Sequence, residues 1–250
     1  MQTSFITLLF CLYCYLLSAS AIAAPRIVVG GSDNLKQSVY GIWAELIYRD
    51  AFQRLGYEFE YLGFPAARVA RVFMEGKLDG EVNRIASYGQ GRPDLIRVSE
   101  SHFAMNSVAY SHIAGLKIEN WQSFNELAYR VEYRNGSKLF EMEIPPRMPS
   151  DLVSKVTTTD QGVKRLILKR TDVFLELDLS VEDVLAKLDP QLYDTQSIKA
   201  VATLANKPSY LFLHRKHQKL ADEIAVTLRE MKQQGVIERY RQQAIALHPH

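Results

Sequence analysis

Residues 26–85 have the sequence RIVVG GSDNLKQSVY GIWAELIYRD AFQRLGYEFE YLGFPAARVA RVFMEGKLDG EVNRI, in which two apolar patterns alternate. Three short runs rich in β-branched or aromatic residues predict buried strands. These runs span 26–29, 57–62 and 78–85. Between them, apolar residues recur at helical spacing and predict two helices that end at Gly56 and Gly76. This order predicts a parallel sheet with crossover helices, whose ligands bind beyond the carboxyl ends of the strands.

A second alternation of strands and helices begins near Trp121. Strands are predicted at 129–133, 155–159, 171–177, 199–204 and 210–213, and helices at 161–169 and 181–188. The chain ends in two helices, which are separated by a break at Gly235. The sequence therefore predicts an α/β protein with two units and no internal repeat.

The overall composition is that of a folded globular protein. Of the 250 residues, 47% are hydrophobic and 23% are charged, which suits one large domain or two small ones. The 30 Lys and Arg residues nearly balance the 28 Asp and Glu residues, so no strong field favours nucleic acid as a partner. The basic cluster at 164–170 lacks interleaved aromatic residues, which also disfavours nucleic acid.

The N-terminal segment predicts a secretory signal peptide at residues 1–23. An apolar run at 5–17 is followed by small residues, and the Ala-Ile-Ala sequence at 21–23 fits a cleavage site before Ala24. The alternative is a transmembrane anchor, which needs ~20 apolar residues, whereas this run is shorter. The pattern favours export of the remaining chain.

The sequence lacks the residues and motifs that several kinds of catalysis require. Both cysteines, Cys11 and Cys14, lie in the predicted signal peptide, so the exported chain is expected to have no disulfide, thiolate metal site or cysteine nucleophile. The sequence contains no nucleophile elbow, phosphate-binding loop or dinucleotide fingerprint. His214 and His217 flank two cationic residues, which predicts a solvated helix end. We expect neither a metal nor a cofactor.

A further pattern extends from the second predicted helix into the middle of the chain. A Gly-Lys-Leu-Asp segment at 76–79 is followed by Arg92, by Ser99 seven positions later and by Phe103 eleven positions after the arginine. Together with the export signal and the two α/β units, this pattern resembles the periplasmic solute-binding proteins of the polar amino-acid type, the bacterial extracellular solute-binding protein family 3. The resemblance covers nearly all of the chain after residue 23.

The resemblance implies a two-lobe, type II periplasmic-binding-protein fold. Each lobe would be a mixed sheet flanked by helices, with the ligand cleft between the lobes. The first lobe would comprise residues 24–110 and 200–250, and the second lobe residues 111–199. Extended crossings near 108–113 and 199–204 would act as the hinge.

In that family, the arginine that matches Arg92 grips the carboxylate of the ligand, for which a guanidinium fork is a planar, bidentate partner. The alternative is an ion pair between Arg92 and the nearby Asp94. Further candidates lie at or after the carboxyl end of the third predicted strand. They are Asn83, Arg84 and Ser87. Arg68, near the start of the second helix, is either another cleft residue or solvated. The stacking aromatic residue of the family would be Tyr40 or Phe64.

The second lobe supplies the remaining candidates. Gly136 and Ser137 match a turn of the family, where backbone N–H groups at a helix start would favour an anion. The ammonium-binding aspartate of the family falls between two acidic residues, Glu176 and Asp178, of which Glu176 is taken as the candidate. Because arginine is frequent among the cleft candidates, an acidic small molecule fits at least as well as an ordinary α-amino acid.

The resemblance implies a periplasmic protein that captures a small, polar, carboxylate-bearing solute by hinge closure. A monomer would then deliver the solute to the membrane permease of an ABC-type importer. Two alternatives belong to other classes: a sensor subunit that docks on a membrane receptor, and an enzyme resembling the periplasmic dehydratases of similar fold. The enzyme would need an acid or base in the cleft, for which Glu81 is the candidate.

Overall fold

The computed structural model of the protein describes residues 24–248. The predicted signal peptide at 1–23 lies outside the described residues. The strands are β1 (Arg26–Ser32), β2 (Glu58–Phe64), β3 (Gly80–Ile85), β4 (Leu95–Arg97), β5 (Phe103–Ser111), β6 (Val131–Arg134), β7 (Val153–Val156), β8 (Val173–Leu177) and β9 (Lys199–His214). The helices are α1 (Asp33–Lys36), α2 (Val39–Arg54), α3 (Ala66–Met74), α4 (Lys138–Glu143), α5 (Thr159–Ile167), α6 (Asp178–Lys187), α7 (Gln218–Gln233) and α8 (Val236–Leu247).

The first strands of the described chain form the predicted parallel unit. β1 lies between β2 and β3 and pairs in parallel with both, with Val28 opposite Glu60 and Val29 opposite Gly80. A strand that is flanked on both sides and covered by helices is removed from water, and Val29 is fully buried. The helices α2 and α3 form the crossovers, which confirms the predicted order of strands and helices.

All strands of residues 24–248 belong to one mixed sheet, in which β5 and β9 connect the two lobes. The order is β2-β1-β3-β9-β5-β8-β6-β7, and β4 pairs with β9. β9 is antiparallel to β3, β4 and β5, and β5 is antiparallel to β8. β6 pairs in parallel with β8 and β7. This is the predicted two-lobe α/β fold, while the predicted lobe boundaries at 110/111 and 199/200 stay a prediction.

Strand β9 is continuous where the sequence predicts two separate strands. The segment 206–208 is polar and contains Pro208, which lacks a backbone N–H and predicts a break. In the structure, antiparallel pairing with β5 carries the strand through this segment, with Asn206 opposite Asn106. The amide of Asn206 also donates to Oδ1 of Asn106 over 2.6 Å.

Each lobe has its own hydrophobic core. In the first lobe, Trp43 of α2 stacks on Phe103 with ring centroids 4.1 Å apart, and its Nε1 donates to the carbonyl of Ile237 over 2.8 Å. In the second lobe, Phe174 and Leu175 of β8 are fully buried in the clusters around α5 and α4. Both lobes are therefore held by apolar burial on either side of their sheets.

Candidate functional site

A cavity of about 590 Å³ lies between the two lobes. The first lobe contributes the carboxyl ends of β1, β2 and β3, where Ser32, Phe64 and Asn83 line the space. The second lobe contributes residues 134–140 and Glu176, near the ends of β6 and β8. A concave space of this size at the ends of parallel strands is typical of a small-molecule site.

The predicted site residues divide into two groups. Those that line the cavity are Phe64, Asn83, Gly136, Ser137 and Glu176. Those that lie outside its lining are Tyr40, Arg68, Arg84, Ser87 and Arg92. Arg68 and Ser87 are exposed to solvent, and the other three contact protein side chains described below. Ligand contact by the second group stays a prediction.

Arg84 and Arg92 converge on the carboxylate of Glu81, which is fully buried. The Nη2 atom of Arg84 and the Nη1 atom of Arg92 lie 2.8 and 2.9 Å from its oxygens, and the hydroxyl of Tyr88 donates to it over 2.6 Å. Arg92 also forms the ion pair with Asp94 that the sequence offers as an alternative, with 3.4 Å between Nη2 and Oδ2. Glu81 is thus neutralised by cations and, like them, lies outside the lining of the cavity.

Tyr40 is buried beside the strands that connect the lobes. Its hydroxyl donates to the carboxylate of Asp178, which also accepts a hydrogen bond from Asn106 over 2.7 Å. Asn106 in turn accepts from Asn206. Burial and the Asp178 carboxylate raise the pKa of Tyr40, so the phenol remains protonated. These side chains link α2 of the first lobe to α6 of the second lobe through β5 and β9.

The lining of the cavity includes an arginine that sequence reasoning missed, Arg134 at the end of β6. Its Nε donates to Oε2 of Glu176 over 2.7 Å, and the hydroxyl of Thr159 donates to the same oxygen over 3.1 Å. The backbone N–H of Leu177 donates to the other carboxylate oxygen over 2.9 Å. Glu176 is fully buried, whereas the Arg134 side chain is 19% exposed. Among residues 24–248, no group accepts a hydrogen bond from Nη1 or Nη2 of Arg134.

Asn83 reaches the cavity through an irregularity in β3. The register of β3 against β9 shifts between Glu81 and Arg84, and Asn83 has a φ of 58°, a left-handed value that is uncommon for a residue with a side chain. The Oδ1 atom of Asn83 lies 2.9 Å from Nε2 of His102, and Nδ1 of His102 lies 2.8 Å from the hydroxyl of Tyr48. Burial, with a smaller contribution from the Lys232 charge, lowers the pKa of His102 to about 3, so its ring is neutral.

The turn before α4 pairs its own N–H groups. The Gly136 N–H donates to the Glu141 carboxylate over 3.0 Å, and the Ser137 N–H donates to the carbonyl of Arg134 over 3.1 Å. Ser137 makes no side-chain capping bond to the helix and lines the cavity. The Ser137 side chain therefore lies at the cavity without a capping role.

Two further charges line the cavity, Asp33 at the start of α1 and Lys207 on β9. Neither forms an ion pair with another side chain of residues 24–248. Within the same range, no group of three or more His, Cys, Asp or Glu side chains is arranged to hold a metal ion. No helix in the described part of the chain has the length and apolar character needed to cross a membrane.

Solved structures share this backbone fold. A histidine kinase sensor domain with similarity to periplasmic binding proteins has a TM-score of 0.67 and 13% identity, over 88% of this chain and 96% of that chain. The L-cystine solute receptor of Neisseria gonorrhoeae, in an unliganded open conformation, has a TM-score of 0.63 and 16% identity, over 89% and 93% of the two chains. An amino acid ABC transporter substrate-binding protein from Streptococcus pneumoniae, bound to L-arginine, has a TM-score of 0.62 and 15% identity, over 88% and 94%. The chain thus has the two-lobe fold of the periplasmic binding proteins.

No protein-family model matches the chain. An uncharacterized protein of Shewanella oneidensis is 32% identical to it in an alignment of 244 positions, which covers 94% of this chain and 91% of that protein. The similarity extends over nearly the whole of both sequences, and the chain belongs to the same family as this Shewanella protein.

Proposed function

We propose that the protein is a periplasmic solute-binding protein, which encloses a small, polar, carboxylate-bearing solute between its lobes and delivers it to an ABC-type importer. The observation that carries the proposal is the position of Arg134. Arg134 lines a cavity of about 590 Å³, and its two Nη atoms have no acceptor among residues 24–248. A guanidinium fork binds a carboxylate through two parallel hydrogen bonds.

The polar groups that line the cavity beside Arg134 can bind the other polar atoms of an amino-acid-like solute. Asn83 and Asp33 belong to the first lobe, and Arg134 and Ser137 belong to the second. A solute that contacts both pairs would draw the lobes together, which is hinge closure. Closure excludes water and strengthens each ion pair in the cavity, so a few charged hydrogen bonds are sufficient for binding.

The comparisons support import of such a solute at the level of fold. Two structures of the same fold are described as an L-cystine solute receptor and as an amino acid ABC transporter substrate-binding protein. Binding without catalysis is supported by Glu81, the candidate acid or base, because two arginines and a tyrosine hold its carboxylate outside the cavity lining. Export by the predicted signal peptide, a monomeric state and a membrane permease as partner complete the proposal.

A sensor subunit is the second candidate function, and the likeness to a histidine kinase sensor domain favours it. The two candidates differ in the membrane partner. Affinity capture of the solute-loaded protein from solubilised membranes of its source would recover permease subunits in the first case and a receptor kinase in the second.

A thermal-shift screen tests solute binding itself. Residues 24–250 would be screened against amino acids, small organic acids and polyamines. We expect at least one carboxylate-bearing solute to raise the unfolding midpoint and to reduce the radius of gyration in small-angle X-ray scattering. A rise with polyamines alone would contradict the carboxylate assignment, and no rise with any solute would contradict solute binding.

A further inference from the structure

We propose that His102 is a positioning residue that fixes the polarity of the first-lobe wall of the cavity. It holds the Asn83 amide so that a hydrogen-bond donor, and not an acceptor, faces the bound solute. This inference rests on the proposed function, because it concerns the same cavity. It assigns to the solute an acceptor oxygen, as in a carboxylate or a carbonyl, at the position next to Asn83.

The contacts form a continuous chain from the core to the cavity. Tyr48 and His102 are fully buried, and Asn83 is 7% exposed at the cavity wall. The His102 ring lies edge-on to Phe103, with centroids 4.3 Å apart, and edge-on to Tyr48 at 5.3 Å. Rotation of the ring would require the close-packed core to move, so its two nitrogens keep their partners.

The tautomer of His102 follows from those partners. The Oδ1 atom of Asn83 lies 2.9 Å from Nε2 and, as an amide oxygen, can only accept a hydrogen bond. The single proton of the neutral ring therefore lies on Nε2, and Nδ1 accepts from the hydroxyl of Tyr48 over 2.8 Å. Because its oxygen is occupied, Asn83 presents its NH2 group to the cavity and to the hydroxyl of Tyr61, 3.5 Å away.

The backbone of Asn83 supports the same role independently. The left-handed φ of 58° carries a steric cost for a residue with a Cβ atom, and such costs persist where surrounding contacts fix the conformation. Here the β-bulge turns the residue towards the cavity, and the bond from His102 fixes its amide. A buried histidine and an irregular strand thus converge on one amide group that faces the proposed solute.

Nitrogen-15 NMR of the histidine rings tests the tautomer in the solute-free protein. We expect His102 to carry a proton on Nε2 and none on Nδ1 throughout pH 5 to 8. A proton on Nδ1, or on both nitrogens in this range, would overturn the inference whatever the solute is.

Titration calorimetry with two pairs of probes tests whether Asn83 presents a hydrogen-bond donor to the solute. The pairs are succinate with succinamide, and L-glutamate with L-glutamic diamide. We expect one carboxylate to bind wild type at least about tenfold more tightly than its amide, because the amide places a donor against a donor. His102→Gln, which keeps a donor towards Asn83, should retain most of this ratio, and His102→Leu should lower it at least about fivefold.

An unchanged ratio in His102→Leu would overturn the inference. If that variant does not fold, Tyr48→Phe replaces it, because loss of the Tyr48 proton removes the bias between the ring tautomers and should also lower the ratio. If no probe binds wild type, the carboxylate assignment of the proposed function fails, and the NMR measurement decides the role of His102 separately.

Discussion

The Nε atom of Arg134 donates to Oε2 of the buried Glu176 over 2.7 Å, at the end of the parallel pair formed by β6 and β8. This contact uses one donor of the guanidinium and leaves the two terminal nitrogens without an acceptor among residues 24–248. It also neutralises Glu176, next to the place where the resemblance expects an ammonium-binding acid. Under the proposed function, the two Nη atoms of Arg134 bind the carboxylate of the solute, which is the basis of the carboxylate assignment.

Arg134→Lys tests this assignment with the least damage to the fold. Lysine keeps a positive charge beside Glu176 but loses the planar fork. We expect the affinity for the solute that most stabilises wild type to fall at least about tenfold. The free energy of unfolding should fall by about 1 kcal/mol. Titration calorimetry and urea unfolding measure the two effects.

Arg165→Lys is the matched control. The Nε atom of Arg165 lies 3.0 Å from both oxygens of Glu132, another buried acid of the second lobe, but Arg165 is outside the cavity lining. This variant should lose similar stability and bind the solute as wild type does. Equal losses of affinity in the two variants would mean that Arg134 acts through the fold and not through contact.

Arg92→Ala distinguishes the arginine of the family pattern from Arg134. The resemblance predicts that this change removes solute binding and leaves the fold intact. The contacts predict the reverse, because Arg92 compensates the buried Glu81, which would keep only Arg84 and Tyr88. We expect the free energy of unfolding to fall by about 2 kcal/mol, with affinity within about twofold of wild type. Lost binding at unchanged stability would restore Arg92 as the carboxylate clamp.

Tyr40→Phe tests the contact between the lobes. The change removes one hydrogen bond to Asp178, which keeps Asn106, so we expect a loss of about 1 kcal/mol in the free energy of unfolding. The solute-free protein should also sample wider interlobe distances. Spin labels on Met74→Cys and Leu192→Cys, both exposed positions on different lobes, measure this distribution. Tyr129→Phe, at an exposed position, is the control, and identical distributions would contradict the linking role of Tyr40.

The pH dependence of stability reports the buried histidine. The pKa of His102 is about 3 in the folded protein and ~6.5 in the unfolded chain, so between these values the unfolded chain binds the extra proton. Stability therefore falls as the pH falls through this range. We expect His102 to account for about 2 kcal/mol of the loss between pH 7 and pH 5. Urea unfolding should show a shallower decline in His102→Gln, and equal declines would contradict a buried neutral ring.

Periodicity and glycine positions are local signals, and they were sufficient to predict the parallel unit at the start of the described chain. The two-lobe arrangement was predicted from the family resemblance. The sequence was also sufficient, in principle, for Arg134, which directly follows the strand predicted at 129–133. Arg84 was selected as a candidate because it lies at the carboxyl end of a predicted strand, and Arg134 meets the same criterion. Arg84 itself shows the limit of that rule. The bulge between Glu81 and Arg84 directs Asn83 to the cavity, and no sequence pattern marks this bulge.

Contacts between residues far apart in the sequence explain why the roles of the other site residues were not predicted. Tyr40 and Asp178 are 138 positions apart, and His102 meets Tyr48 and Asn83 from a third part of the chain. Such contacts depend on how the sheet brings distant strands and helices together, which local patterns do not encode. The same holds for Glu81, whose neutralisation by Arg92 depends on the path of the chain after β3.

The most direct test of the central claim is a ¹H–¹⁵N correlation spectrum of residues 24–250, titrated with the solute that raises the unfolding midpoint most. We predict that the largest shifts fall on the backbone amides of Ser137 and Leu177 and on the side-chain amide of Asn83, which surround the cavity beside Arg134. Shifts centred on the segment from Tyr88 to Asp94, with the cavity amides unchanged, would contradict the account.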